Sequence, residues 1–443
     1  MPRAEHPISR SSFTGAALKV LYTLKDAGYE AYVVGGGVRD LLAGLKPKDF
    51  DIATNARPEQ VRKLFRSCRL VGRRFLIAHV RFGDEISEVT TFRGPIGDSH
   101  DRDETGRILS DNVYGSMEDD AFRRDFTVNG LFYDIRDFSI VDYVGGMDDM
   151  RARKLRLIGD PELRYREDPV RMLRAVRIGN KLHFQMDPAC AKPIPRLAPL
   201  LREIPPARLF DEVLKALFSV DNVENFRALH WFGLWRELFP DVGVALDHDL
   251  DNTRAFIEWA LANTAERIKQ DQPVTPSFLF AALLWLPMTA RAQVLMAQQG
   301  HPEHIAVMQA AEEIMARQTL RVAIPKRFSI PAREIWTMQS RFEQRRGSAP
   351  RRLMSHPRFR AAYDFLLLRA QAGEPVQELA DWWTEAQKGE LLPVPDSAPP
   401  EHAGPAHDSP EGGAHGGAPR RRRRRRGGRG RNRGGPGGNS PQE

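Results

Sequence analysis

The chain has 443 residues, enough for more than one packed core, with 66 Lys and Arg against 58 Asp and Glu. From Ser397 onward ten Arg face four acidic residues, so +6 of the formal +8 lies in the C-terminal tail and the rest is nearly neutral. The two cysteines, Cys68 and Cys190, have no neighbour at metal or redox spacing, which excludes a disulfide scaffold and fits a reducing cytoplasm.

No apolar run is long enough to span a membrane, and the first residues carry no signal-type apolar segment. The histidines, from His6 to His415, are scattered without ligand spacing, so no zinc site is expected. Residues 14–27 place Ala16, Leu18, Leu21 and Leu24 at helical intervals, an amphipathic helix for one face of a sheet. Tyr32-Val33-Val34 suits a short buried strand. Gly35, Gly36 and Gly37 then remove every side chain from a turn, so the backbone can approach a bulky anion and offer its N–H groups. A helix is expected over Val38–Ala43, then a turn around Pro47.

Asp49 and Asp51 follow, two residues apart, interleaved with Phe50 and Ile52. On a strand, residues i and i+2 share a face, so both carboxylates point one way and both apolar groups the other. Two adjacent like charges are costly unless a divalent cation sits between them. An anion cradle beside a two-carboxylate Mg²⁺ site is the chemistry this order of elements supports.

Pro58 opens another helix, with Val61, Leu64 and Phe65 on its apolar face. Ile77–Phe82 and Glu85–Phe92 flank Gly83-Asp84, a hairpin signal. Glu88 is a surface carboxylate unless its strand lies beside Asp51, in which case it reaches the same site. Residues 94–117 are polar and unpatterned, and a mobile loop is expected there. In Glu118–Asn129, Phe122 and Phe126 have helical spacing with Leu131, which would put Arg124, Asp125 and Asn129 on a polar helix face. Such a cluster is either a solvated face or a set of donors and acceptors for phosphates and ribose hydroxyls.

Arg164–Arg177 is the second informative stretch. Asp168 suits an N-cap and Pro169 a first helical position, with Val170, Leu173 and Val176 facing a core. Arg171 falls in the first turn, where the helix dipole disfavours a cation, and Arg174 and Arg177 follow at helical spacing. A row of guanidiniums beside one carboxylate can recognise a base edge or hold a triphosphate. Beyond Ala189 the pattern is helical, including Pro206–Phe218, Asp251–Ile268, Pro276–Leu284 and His304–Gln318, with basic helices over 335–372 suited to an RNA backbone. From Leu391 the chain is rich in Pro, Gly, Ala and Ser and is expected to be disordered. It ends in Arg420–Arg426, Arg429, Arg431 and Arg433, a polyanion-binding tract.

The runs Val34-Gly-Gly-Gly-Val-Arg39-Asp40, Asp49-Phe-Asp51, Arg123-Arg-Asp125-Phe-Thr-Val-Asn129 and Glu167-Asp168-Pro-Val-Arg171-Met-Leu-Arg174 together resemble class II template-independent nucleotidyltransferases of the polymerase-β superfamily. That family holds tRNA CCA-adding enzymes and bacterial poly(A) polymerases. Lys46–Asn55, Arg69–Phe75, Ile204–Phe210, Ile324–Arg327 and His356–Tyr363 are similar to the poly(A) polymerase branch, over roughly residues 5–390. The resemblance implies an α+β chain: a mixed-sheet nucleotidyltransferase head (12–150), a helical neck that binds base and RNA (151–220), a helical body and leg (221–390) and an Arg/Gly-rich tail (391–443). It implies transfer of AMP from ATP to an RNA 3′-hydroxyl, in RNA turnover.

Carried over residue by residue, the resemblance gives Asp49 and Asp51 as Mg²⁺ ligands and Asp125 as the third essential carboxylate, near the ribose. Gly36 and Arg39 hold the triphosphate, and Arg124 supports the nucleotide. Asp168 and Arg171 face the base edge, with Arg174 assisting. Expected partners are ATP, RNA 3′ ends and proteins of RNA decay, for a cytoplasmic monomer. Two other readings remain open on sequence: CCA addition to tRNA, which shares every motif, and a non-catalytic RNA-binding scaffold, against which the three aspartates stand.

Overall fold

The computed structural model describes residues 1–72, 76–94 and 113–389. The expected loop over 94–117 lies largely outside them, and so does the tail from residue 390. The N-terminal part is a seven-stranded mixed sheet in the order β3-β4-β5-β2-β1-β6-β7. Its strands are β1 (Ala31–Val34), β2 (Asp51–Thr54), β3 (Cys68–Val71), β4 (Ile77–Phe82), β5 (Glu85–Thr91), β6 (Leu131–Asp134) and β7 (Ile140–Asp142). All neighbours are antiparallel except β2 and β5, which run parallel. The hairpin around Gly83-Asp84 forms as expected, with Phe82 opposite Glu85.

Strand alternation sorts the side chains between two faces. Val33 and Ile52 point to one face with Phe50, where α1 (Gly15–Asp26) and α3 (Pro58–Leu64) cover them through Val20, Leu21, Leu24 and Val61. Thr14 caps α1 by accepting from the Ala17 N–H. Tyr32, Val34, Ala53 and Phe132 point to the other face, where α4 (Met117–Arg123) contributes Ala121. The short α2 (Gly36–Leu42) follows β1 directly.

After β7, Asp142 accepts the N–H groups of Val144, Gly146 and Met147 and so turns the chain into α5 (Gly146–Ala152). Helices α6 (Pro161–Glu167) and α7 (Val170–Leu182) lead into an almost wholly helical remainder. Helices Pro206–Leu217, Leu250–Lys269, Pro276–Leu283 and Glu303–Arg321 match the expected spans within three residues. One apolar cluster runs from Phe126 through α7 to Leu368, and a second, around Phe342, Phe359 and Trp383, closes the last helices. Among the described residues no single helix is long and apolar enough to cross a membrane; one bent pair, Pro276–Leu283 and Trp285–Gln299, passes that test only together.

Candidate functional site

The site lies where β1 gives way to α2. Gly35 has φ +66, the left-handed region. A Cβ there would lie 3.2 Å from Arg124 Nη1, and one on Gly37 would lie 3.0 Å from the Phe50 ring. The glycines let a guanidinium and an aromatic ring approach the main chain. The helix starts at Gly36, two residues before the expected Val38, so only Gly35 remains as the turn.

Asp49 and Asp51 are exposed while Phe50 and Ile52 are buried, so the alternation expected from the sequence holds across the start of β2. Asp51 pairs with Val34 on β1 and, in register, with Glu88 on β5. This parallel pairing puts Glu88 beside the aspartates. Asp51 is exposed by area, yet enough protein surrounds its carboxyl to desolvate it. Its pKa is pushed up to about 6, first by desolvation, then by Glu88 and Asp49, against the opposing pull of Arg124 and Arg174. Glu88 also meets His79, 3.5 Å away. Among the described residues no group of three or more His, Cys, Asp and Glu is arranged to hold a metal by itself.

Arg124 and Asp125 are not on the polar face of a helix, as their spacing suggested. Helix α4 ends at Arg123, Arg124 is extended, and a single 3-10 turn over Thr127–Asn129 precedes β6. Arg124 still makes the i,i+4 pair with Asp120, donating to its Oδ2 at 2.8 Å, and lies 5.0 Å from the Phe132 ring centroid. Asp125 turns toward α7. Its Oδ2 accepts from Arg174 Nε at 2.7 Å, and its Oδ1 from the Phe126 N–H and Asn129 Nδ2. Burial alone would raise this carboxyl. Arg174, Asn129 and the Phe126 amide outweigh it and hold Asp125 well below the ordinary carboxylate range.

Arg39 is buried and donates from Nε and Nη2 to Asp40 Oδ1 and from Nη1 to Asn129 Oδ1 at 2.7 Å. Lys181 Nζ reaches the other oxygen of Asp40 at 2.5 Å. A closed circuit results: Arg174, Asp125, Asn129, Arg39, Asp40, Lys181. Both ends are on α7, seven residues apart and therefore on one helix face. Behind Arg174, Glu212 lies 4.0 Å from its guanidinium and 3.6 Å from that of Arg177. Sequence reasoning missed Asp40, Lys181 and Glu212. The i+7 spacing from Arg174 was the available signal for Lys181.

Asp168 sits between α6 and α7 and caps α7, accepting from the Val170 N–H at 3.3 Å, with Pro169 already in helical torsions. Its second oxygen accepts from Arg208 at 2.6 Å. Arg171 turns back onto α6, donating to Glu167 and to the Arg164 carbonyl. Arg164, also missed, binds the carbonyls of Arg123 and Arg124 and so ties α6 to the Asp125 segment. The site therefore brings Gly36, Arg39, Arg124, Asp125 and Arg174 into one network with the acidic edge of β2. Asp168 and Arg171 form a neighbouring group at the junction of α6 and α7.

Three family models match this chain: the poly A polymerase head domain over residues 31–156, the probable RNA and SrmB-binding site of polymerase A over 183–246, and the polymerase A arginine-rich C-terminus over 299–427. Poly(A) polymerase I of Salmonella typhi is 49% identical over 91% of this chain and 87% of its own length. The chain belongs to the poly(A) polymerase family. Membership makes it a nucleotidyltransferase acting on RNA. The CCA-adding enzyme of Lactobacillus helveticus is 40% identical over only 45% of the chain and 49% of that enzyme. The solved Thermotoga maritima CCA-adding enzyme in complex with tRNA, at 17% identity and TM-score 0.54, covers 87% of the chain and 84% of its own and shares the fold.

Proposed function

We propose that this family member extends RNA 3′ ends without a template, moving AMP from ATP to the terminal 3′-hydroxyl and releasing pyrophosphate, as part of RNA turnover. The observation that carries the reading is the pair of exposed carboxylates on the edge of β2 beside a glycine bend flanked by two guanidiniums.

Asp49 and Asp51 would hold Mg²⁺, completed by substrate oxygens, because two carboxylates are the protein share such a site ordinarily supplies. The donor set fits: burial first, and then the like charges of Glu88 and Asp49, raise the Asp51 carboxyl, and a divalent cation would offset both. An ion held by Asp49 and Asp51 would supply charge neutralisation and favour an ionised hydroxyl. Gly36 exposes its backbone beside the Arg39 guanidinium, which keeps two N–H groups beyond its three hydrogen bonds. Those donors and Arg124 would face the triphosphate. Asp125 stays ionised and can accept from a ribose hydroxyl while Arg174 and Asn129 hold it still. Asp168 and Arg171 present an acceptor and a donor to the base edge.

Supplying each nucleoside triphosphate separately, with a generic single-stranded RNA or with tRNA, tests the reading. Long tails from ATP on either RNA are expected; CTP addition restricted to tRNA ends would replace it with CCA addition. Asp51→Ala is expected to abolish elongation while most RNA binding remains, and full elongation by that variant would remove Asp51 from the chemistry.

A further inference from the structure

We propose that Trp231 is a stacking platform for an unpaired base of the RNA acceptor, upstream of its 3′ end, with Arg254 and Arg227 beside it for backbone phosphates. The inference rests on the RNA-acceptor reading above and adds a second point of contact away from the transfer site.

Trp231 is the last residue of helix Asn222–Trp231 and is 82% exposed. An indole left open to this degree presents a large π-face to solvent. It borders a cleft of about 450 Å³ whose walls include His230, Phe232, Arg227 and Arg254, with Glu224 also present. Arg227 and Arg254 share a single carboxylate, Glu258, with donor–acceptor distances of 2.6–2.9 Å, which leaves guanidinium donors in excess. His230 registers the local field. Its pKa is held below the ordinary value, first by burial and then by Arg254 and Arg236.

An aromatic face among guanidiniums is the chemistry that takes single-stranded nucleic acid, since every base has a π-face and every linkage a negative charge. The Trp231 helix is tied to α7: Asn225 accepts from Asn180 Nδ2 at 2.9 Å. The match over 183–246 names RNA and protein binding for the whole segment; the structure assigns the base contact to one indole within it.

The test uses the full-length protein and a short, unstructured, fluorescently labelled RNA, with Kd read by anisotropy in the absence of ATP. Trp231→Ala should weaken binding roughly 5- to 100-fold and Trp231→Phe should recover most of it. Arg254→Gln should flatten the slope of log Kd against log salt by about 0.7. A blunt RNA duplex should bind the wild type and the two Trp231 variants alike. Thermal melts matching the wild type check that the exposed position leaves the fold intact. An unchanged Kd for Trp231→Ala would overturn the proposal and leave the indole to a protein partner; equal loss of duplex binding would overturn it too, since stacking needs an unpaired base. Wild-type protein that binds this RNA but adds no AMP to it would defeat the transfer reading instead, without touching the stacking measurement.

Discussion

Asp51 and Glu88 are register partners on adjacent parallel strands, and that pairing concentrates negative charge at the edge of the glycine bend. The Asp51 carboxyl titrates at about 6 against an ordinary 3.8. The folded chain therefore holds the extra proton between those values. The associated stability is present below the unfolded value and lost as pH rises through about 6. In metal-free protein, Asp51→Asn should raise Tm above wild type near pH ~7.5 and give no gain near pH ~3.5, below the unfolded value, where both states hold the proton. Solvent screening keeps the gain near ~1 kcal/mol, about 1 °C for a folded unit of this size. Mg²⁺ should raise the wild-type Tm and leave the variant nearly unmoved. Equal gains at both pH values would remove the like-charge account.

Arg174 holds a carboxylate that little water reaches. Arg174→Ala strands Asp125, with a cost toward the lower end of the roughly 3–5 kcal/mol seen when one partner of a buried pair is removed. Adding Asp125→Asn to that variant should restore much of the Tm and none of the elongation. Melting curves and nucleotide incorporation on the two variants separate the structural part from the chemical part.

Lys181 grips Asp40 from α7, but its side chain is 37% exposed, so the pair itself contributes about 1 kcal/mol or less. Lys181→Met should raise KM for ATP more than it lowers kcat, because Arg39 keeps its bonds to Asp40 and Asn129 but loses the brace behind them. Lys181→Arg should recover most of the loss. Asp40→Asn should be more damaging than either, since Arg39 and Lys181 both lose their carboxylate. Steady-state kinetics on the three variants would expose an idle salt bridge by showing no KM change.

The C-terminal tract carries ten Arg against four acidic residues from Ser397 onward. Removing it should weaken RNA binding most at low salt and flatten the salt dependence, as lost phosphate contacts release fewer counterions. A truncated chain with the same salt slope would show that the tract makes no RNA contact.

Several of these features were legible before any coordinates. The alternation of Asp49, Phe50, Asp51 and Ile52, the hairpin at Gly83-Asp84 and the α1 stripe are local, and local spacing fixes which way neighbouring side chains point. Local spacing also misled. Phe122, Phe126 and Leu131 have helical intervals, yet the chain breaks at Arg124, and Asp125 finds its partner on Arg174, 49 positions away, which no local pattern encodes.

By itself the sequence determined the chemical inventory and its local order: three aspartates, a side-chain-free bend, guanidiniums at helical spacing, a basic tail. Tertiary structure alone decided which of these meet. Placing β2 between β1 and β5 put Glu88 against Asp51, and packing α7 on the head closed the circuit from Lys181 through Asp40, Arg39 and Asn129 to Asp125. Those contacts join residues up to 141 positions apart. Strand order and helix docking set them by burying apolar faces, and no short-range pattern encodes which polar groups that burial brings together.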